Sequence, residues 1–206
     1  MTKCHTLLAV CVCLSVAHAA GAAMLVSNGD FESEDFTGDQ QDGVVFTNWT
    51  VTSGISRGDE NDSGQVPGTN PNQVVRMGAT SQGVASMYQD LGHNWATDDE
   101  FTLTFNAITT WWQSGAELRF RLLETGGTEL WNSGVVALDE HTDSAMPAWT
   151  DGTAGSPDTT FEFSFAATDF TGGTAGEELR LEVSRENAIL WLDNVSLEQS
   201  VIPEPA

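Results

Sequence analysis

Apolar and polar residues alternate with a period of two through four stretches of the chain. From Phe101 to Thr110, Phe101, Leu103, Phe105 and Ala107 fall on one side and Thr102, Thr104 and Asn106 on the other. Successive side chains of a strand point to opposite faces, so this pattern predicts a half-buried β-strand. Ala116 to Leu122 repeats it, with Leu118, Phe120 and Leu122 inward and Glu117, Arg119 and Arg121 outward. Phe161, Phe163 and Phe165 make a third inward set, and Leu179, Leu181 and Val183 a fourth. Strands with one apolar and one polar face belong to antiparallel sheets that bury one side. The chain therefore predicts an all-β fold, a two-sheet antiparallel β-sandwich.

The segments between these strands carry turn chemistry. Glu124-Thr125-Gly126-Gly127-Thr128 reads as a hairpin turn between Arg121-Leu122-Leu123 and Glu129-Leu130-Trp131. Asp35 to Gly43, Gly58 to Asn72 and Asp139 to Asp158 are rich in Gly, Asp, Asn and Pro and read as long loops. No amphipathic helix and no internal repeat stands out, and the length suits a single sandwich domain.

The N-terminus reads as an export signal. Lys3 supplies the positive charge, Leu7 to Val16 is an apolar run too short to span a bilayer, and Ala17-His18-Ala19 is a small-x-small cleavage site. Residues 1–19 are expected to be removed, giving a secreted or cell-surface protein with no membrane insertion in the chain as given. Cys4, Cys11 and Cys13 all lie in this leader, so the mature chain has neither a disulfide framework nor a thiol nucleophile.

Charge narrows the partners. Seven Lys and Arg against 30 Asp and Glu give −23. Lys3, the sole lysine, leaves with the leader, so the mature balance is 6 − 30, or −24. Such a chain repels nucleic-acid phosphates and anionic lipid. Its acidity suits high ionic strength, and equally serves solubility.

Two resemblances follow from particular residues. Val201-Ile202-Pro203-Glu204-Pro205-Ala206 resembles the start of a bacterial PEP-CTERM sorting signal, without the apolar helix and Arg cluster that follow it in that family. This implies a surface or extracellular-matrix destination and a tail at 200–206. Val26-Ser27-Asn28-Gly29-Asp30-Phe31-Glu32, Asn48-Trp49, Gly83 to Leu91 and Trp191-Leu192-Asp193-Asn194-Val195-Ser196-Leu197 resemble the galactose-binding-like jelly rolls of carbohydrate-binding modules. The likeness spans 24–199. It implies that the first and last strands meet and that a structural calcium (Ca2+) near their junction takes Glu32 and Asp193 as ligands, with backbone carbonyls completing the shell. Calcium wants six to eight oxygens, which such a set can supply. The alternative reading makes Asp193 a turn cap and Glu32 a solvated acid.

The resemblance also implies a polysaccharide partner, held by rings stacked on aromatic side chains and by planar polar groups. Trp49 and Trp191 occupy core-like positions. If the strand from Phe101 continues, Trp111 falls inward and Trp112 falls on the polar face with Asn106. If the next strand shares that face, Arg119 and Arg121 flank Trp112 and complete a sugar platform. The competing reading pairs Arg119 and Arg121 with carboxylates and folds Trp112 under a loop. Tyr88, Trp95 and Trp149, near loops, are secondary candidates for the sugar site that read first as local packing. His93 and His141 have no zinc-protease spacing, and no nucleophile elbow or phosphate loop occurs. Asp59 to Gly64 begins like a calcium-binding EF-hand loop but has Asn70 at its twelfth position. The expected protein is thus a non-catalytic carbohydrate binder, with a structural matrix protein and a jelly-roll glycosidase or lyase as rivals.

Overall fold

The computed structural model describes residues 22–33, 45–59, 73–78, 85–109, 115–138 and 160–201. The expected leader, Trp111, Trp112, His141, Trp149, most of the three long loops and the Pro-Glu-Pro tail lie outside them. The described residues form two antiparallel sheets packed face to face, with one short 3-10 turn at Ala167–Asp169. Among the described residues no helix is long and apolar enough to cross a membrane.

The strands are β1 (Ala23–Met24), β2 (Thr50–Ser53), β3 (Ile55–Asp59), β4 (Gln73–Met77), β5 (Ala85–Asn94) and β6 (Asp99–Thr109). They continue with β7 (Glu117–Glu124), β8 (Glu129–Asn132), β9 (Val136–Ala137), β10 (Thr160–Ala166), β11 (Glu178–Asn187) and β12 (Leu190–Val201). The first sheet has the order β10-β6-β12-β4-β3, with β1 also on β12. The second has the order β2-β5-β11-β7-β8, with β9 also on β7. This is the expected jelly-roll sandwich. Strand β3 extends through Gly58 and Asp59, two residues into the segment read as a loop.

The period-two positions fill the interior. Phe101, Leu103, Phe105 and Ala107 from β6 are buried, as are Leu118, Phe120 and Leu122 from β7 and Leu179, Leu181 and Val183 from β11. Phe105 meets Phe120 across the two sheets at 4.5 Å between ring centroids. On the outer strand β10 only Phe165 is buried, while Phe161 and Phe163 are half-covered, because an edge strand has a neighbour on one side only. The β7–β8 hairpin closes as expected, with the Glu124 N–H donating to Thr128 O at 2.9 Å and Gly127 at φ 95.

The chain ends are joined. Strand β1 pairs with the end of β12, Ala23 opposite Gln199, and β4 pairs with its beginning, Leu190 opposite Met77. Between them Leu25 N–H donates to Leu197 O at 2.8 Å and Val195 N–H donates to Gly29 O at 2.9 Å. Strand β12 bulges here against β6, its register shifting between Asp193 and Ser196, with Asn194 at φ 51. A buried aromatic group backs the junction, Phe31 lying 5.4 Å from Phe46 and 5.7 Å from Trp49. The Trp49 indole donates to Asn28 O at 3.0 Å, so Trp49 is a core residue, as its sequence position implied. Trp191 is buried too, opposite Arg76 in the ladder.

Candidate functional site

The sequence reading placed Asn106, Arg119 and Arg121 on one polar face. The structure separates them. Asn106 lies on β6 in the first sheet, and Arg119 and Arg121 lie on β7 in the second. Strands β6 and β7 belong to different sheets and so do not pair as a hairpin. Because Phe105 and Phe120 meet in the interior, the polar sides of β6 and β7 face away from one another. Asn106 donates from Nδ2 to Thr160 Oγ1 at 3.2 Å on its own sheet. That outer face holds a groove of about 350 Å³ whose lining includes Glu100, Thr102, Ser164 and Ser200.

Arg119 and Arg121 sit on the outward side of the second sheet, between the buried Leu118, Phe120 and Leu122. Here they meet carboxylates, as the competing reading expected. Arg119 Nε lies 3.5 Å from Glu186 Oε1. Arg121 pairs with Glu182 from β11 and lies 3.8 Å from Glu129 of β8. One strand further, Arg180 forms a two-pronged pair with Asp90, at 2.6 and 3.2 Å. This hydrogen bond, ahead of the opposing desolvation, raises the Arg180 guanidinium above its ordinary pKa. The same guanidinium lies 3.9 Å from the centroid of the Tyr88 ring.

The ladder registers put these side chains in rows. Thr50 stands opposite Tyr88, Tyr88 opposite Glu182, Glu182 opposite Arg121 and Arg121 opposite Asn132. One row therefore crosses five strands, about 19 Å at the usual strand spacing of about 4.8 Å. Asp90 and Arg180 lie opposite each other in the adjoining row. The face is an aromatic ring set among hydroxyl, carboxylate, amide and guanidinium groups, the charged ones joined in ion pairs.

Tyr88, Asp90 and Arg180 were not singled out together by the sequence, which read Tyr88 as packing near a loop. The signal available was parity. Tyr88 and Asp90 alternate with the buried Met87 and Gln89, and Arg180 sits between the buried Leu179 and Leu181. Trp95, the other described secondary candidate, is buried, its ring 5.1 Å from Phe170.

The two residues expected to hold calcium lie at the junction of the chain ends. Asp193 is buried, and its carboxylate accepts from the Asn194 N–H at 2.7 Å and from Asn194 Nδ2 at 3.2 Å. Glu32 is exposed in the turn that carries Gly29, its N–H donating to Asp30 Oδ1 at 3.4 Å. Four of the non-glycine residues with positive φ belong to this region or the loop packed on it: Asn28, Phe31, Asn48 and Asn194. Among the described residues no group of three or more His, Cys, Asp or Glu side chains is placed to hold a metal. The donors present are all oxygen and include a buried carboxylate, a set that fits a hard cation only with backbone carbonyls added.

No protein-family model matches the chain, and no curated protein sequence matches it. Solved structures do. The CBM22-1 xylan-binding domain from Paenibacillus barcinonensis Xyn10C aligns over 89% of this chain and 99% of its own length, with a TM-score of 0.54 and 11% identity. The chain shares the jelly-roll sandwich fold of that domain. The tandem CBM22-1-CBM22-2 domain of the same protein aligns over 92% of this chain and 49% of its own, with a TM-score of 0.53 and 11% identity. The enzymatically active domain of tailspike protein 4 from bacteriophage CBA120 aligns at a TM-score of 0.50 and 15% identity. That alignment takes in 87% of this chain but only 21% of the tailspike structure. Identities this low establish the fold alone.

Proposed function

We propose that this protein binds a polysaccharide without cleaving it, across the outward side of the second sheet. The observation that carries this reading is the row Thr50, Tyr88, Glu182, Arg121 and Asn132, flanked by the Arg180–Asp90 pair that stacks on Tyr88. Sugar rings stack on aromatic faces, and their hydroxyls both donate and accept hydrogen bonds. A row of hydrogen-bond donors and acceptors long enough for several linked rings, with an aromatic ring among them, meets both needs. Its side chains are pre-positioned by ion pairs, which lowers the ordering cost on binding. The xylan-binding domain with the same fold supports the assignment by analogy.

In this reading Tyr88 is the stacking ring, Arg180 and Arg121 are donors, and Asp90 is a positioning residue for Arg180. Trp112 and Trp111, which lie outside the described residues, are further candidates for the same platform. The protein acts outside the cell, exported by its leader and directed to the surface or exopolysaccharide by its PEP-CTERM-like tail. A calcium ion held by Glu32 and Asp193 braces the junction of the chain ends.

Affinity electrophoresis through polysaccharide-containing gels tests the reading. Retardation by a glycan, lost in Tyr88→Ala with the fold retained, supports it. Release of reducing ends or unsaturated sugars from the glycan would favour the glycosidase or lyase alternative. Free migration of folded protein in every gel would favour a structural matrix protein.

A further inference from the structure

We infer that the outward face of the second sheet selects uncharged glycan chains and excludes uronate- and sulfate-bearing ones. This rests on the reading that the face binds glycan at all. Its three guanidiniums are the obvious attractors for an anionic sugar, yet each is already matched. Arg180 holds Asp90 through two hydrogen bonds, Arg121 holds Glu182 and Glu129, and Arg119 holds Glu186. Three cations against these four carboxylates leave 3 − 4, or −1. Glu117 and Glu178 lie on the same outward positions of β7 and β11 and add to the deficit. The face belongs to a chain of net charge −23.

A uronate or sulfate that reached the remaining N–H groups of a guanidinium would sit beside the carboxylate already paired with it, two anions crowding one cation. Juxtaposed like charges oppose binding, and the surrounding field lowers the local concentration of an anionic chain. A neutral hydroxyl has no such conflict. It donates to carboxylate lone pairs that the ion pairs leave open and accepts from guanidinium N–H groups not engaged with Asp90 or Glu182. Pairing thus turns three cations from charge receptors into fixed hydrogen-bond donors.

The test compares the full chain in gels containing hydroxyethylcellulose or galactan, both neutral, with gels containing alginate or carrageenan, which carry uronate and sulfate. The expected result is retardation by a neutral polymer that added salt leaves unchanged, with anionic polymers at least about tenfold weaker. Glu182→Gln, close in shape to the native residue, leaves Arg121 with the more distant Glu129. It is expected to raise retardation by alginate or carrageenan several-fold at low salt. Retardation of the wild type by alginate or carrageenan as strong as by the neutral polymers would overturn the inference and leave the glycan reading standing. Failure of Glu182→Gln to change anionic retardation would also count against it. Free migration in every gel would remove the glycan reading and the inference with it.

Discussion

The carbonyl of Gly29 accepts a hydrogen bond from the N–H of Val195 at 2.9 Å, tying the first motif of the domain to the last. The backbones approach so closely that a Cβ added at Gly29 would fall within the van der Waals envelope of Val195 O. The glycine of Asn28-Gly29-Asp30 is thus required by the passage of β12, not by a positive φ of its own.

Replacing Gly29 by Ala should cost about 3 kcal/mol or more, because the obstacle is backbone and cannot rotate away. Urea denaturation with circular dichroism checks this. A loss below about 0.5 kcal/mol would mean that the junction can open without disturbing the core.

Calcium should stabilise the same junction. With the ion at about 100 times its dissociation constant, the gain is about 2.7 kcal/mol, seen as a higher melting temperature than in chelator. Asp193→Asn should abolish that difference. Equal melting temperatures in calcium and chelator would remove the ion from the account and leave Asp193 as a cap for the Asn194 bulge.

The pair between Arg180 and Asp90 should be insensitive to pH through the neutral range. The Asp90 hydrogen bond raises the folded-state pKa of Arg180 above its unfolded value. A base shifted that way contributes its full stabilisation below the unfolded pKa and loses it only as pH rises through the folded one. The pair is exposed, so its contribution is about 0.2–1 kcal/mol. The difference in urea midpoint between wild type and Arg180→Met should stay constant from neutral into mildly alkaline solution. A difference that shrinks there would show that the guanidinium is not held as described.

The strands were legible because β6, β7 and β11 each bury one side, and a buried side writes itself into sequence as every second residue. Leu103 and Phe120 needed no partner information to be placed inward. The meeting of the chain ends was implied only by the family resemblance that the Asn28-Gly29-Asp30 and Asp193-Asn194-Val195 stretches carry. Which sheet each strand joins was not. Nothing in the short link after β6 distinguishes a hairpin from a crossing of the sandwich, and that one choice put Asn106 and Arg121 on opposite outer faces. The row around Tyr88 draws on β2, β5, β11, β7 and β8, segments spread from Thr50 to Glu182. Its assembly depends on cross-strand register, which no local pattern records.

Tyr88 and its neighbours are proposed to form a glycan-binding face. This is tested most directly by affinity electrophoresis of wild type, Tyr88→Ala and Trp112→Ala through a polysaccharide panel, with folding checked by circular dichroism. At least one glycan should retard the wild type, and Tyr88→Ala should weaken this about tenfold or more. A parallel loss in Trp112→Ala would extend the platform to that residue. Undiminished retardation of a folded Tyr88→Ala protein would rule Tyr88 out of the site and move it to another surface.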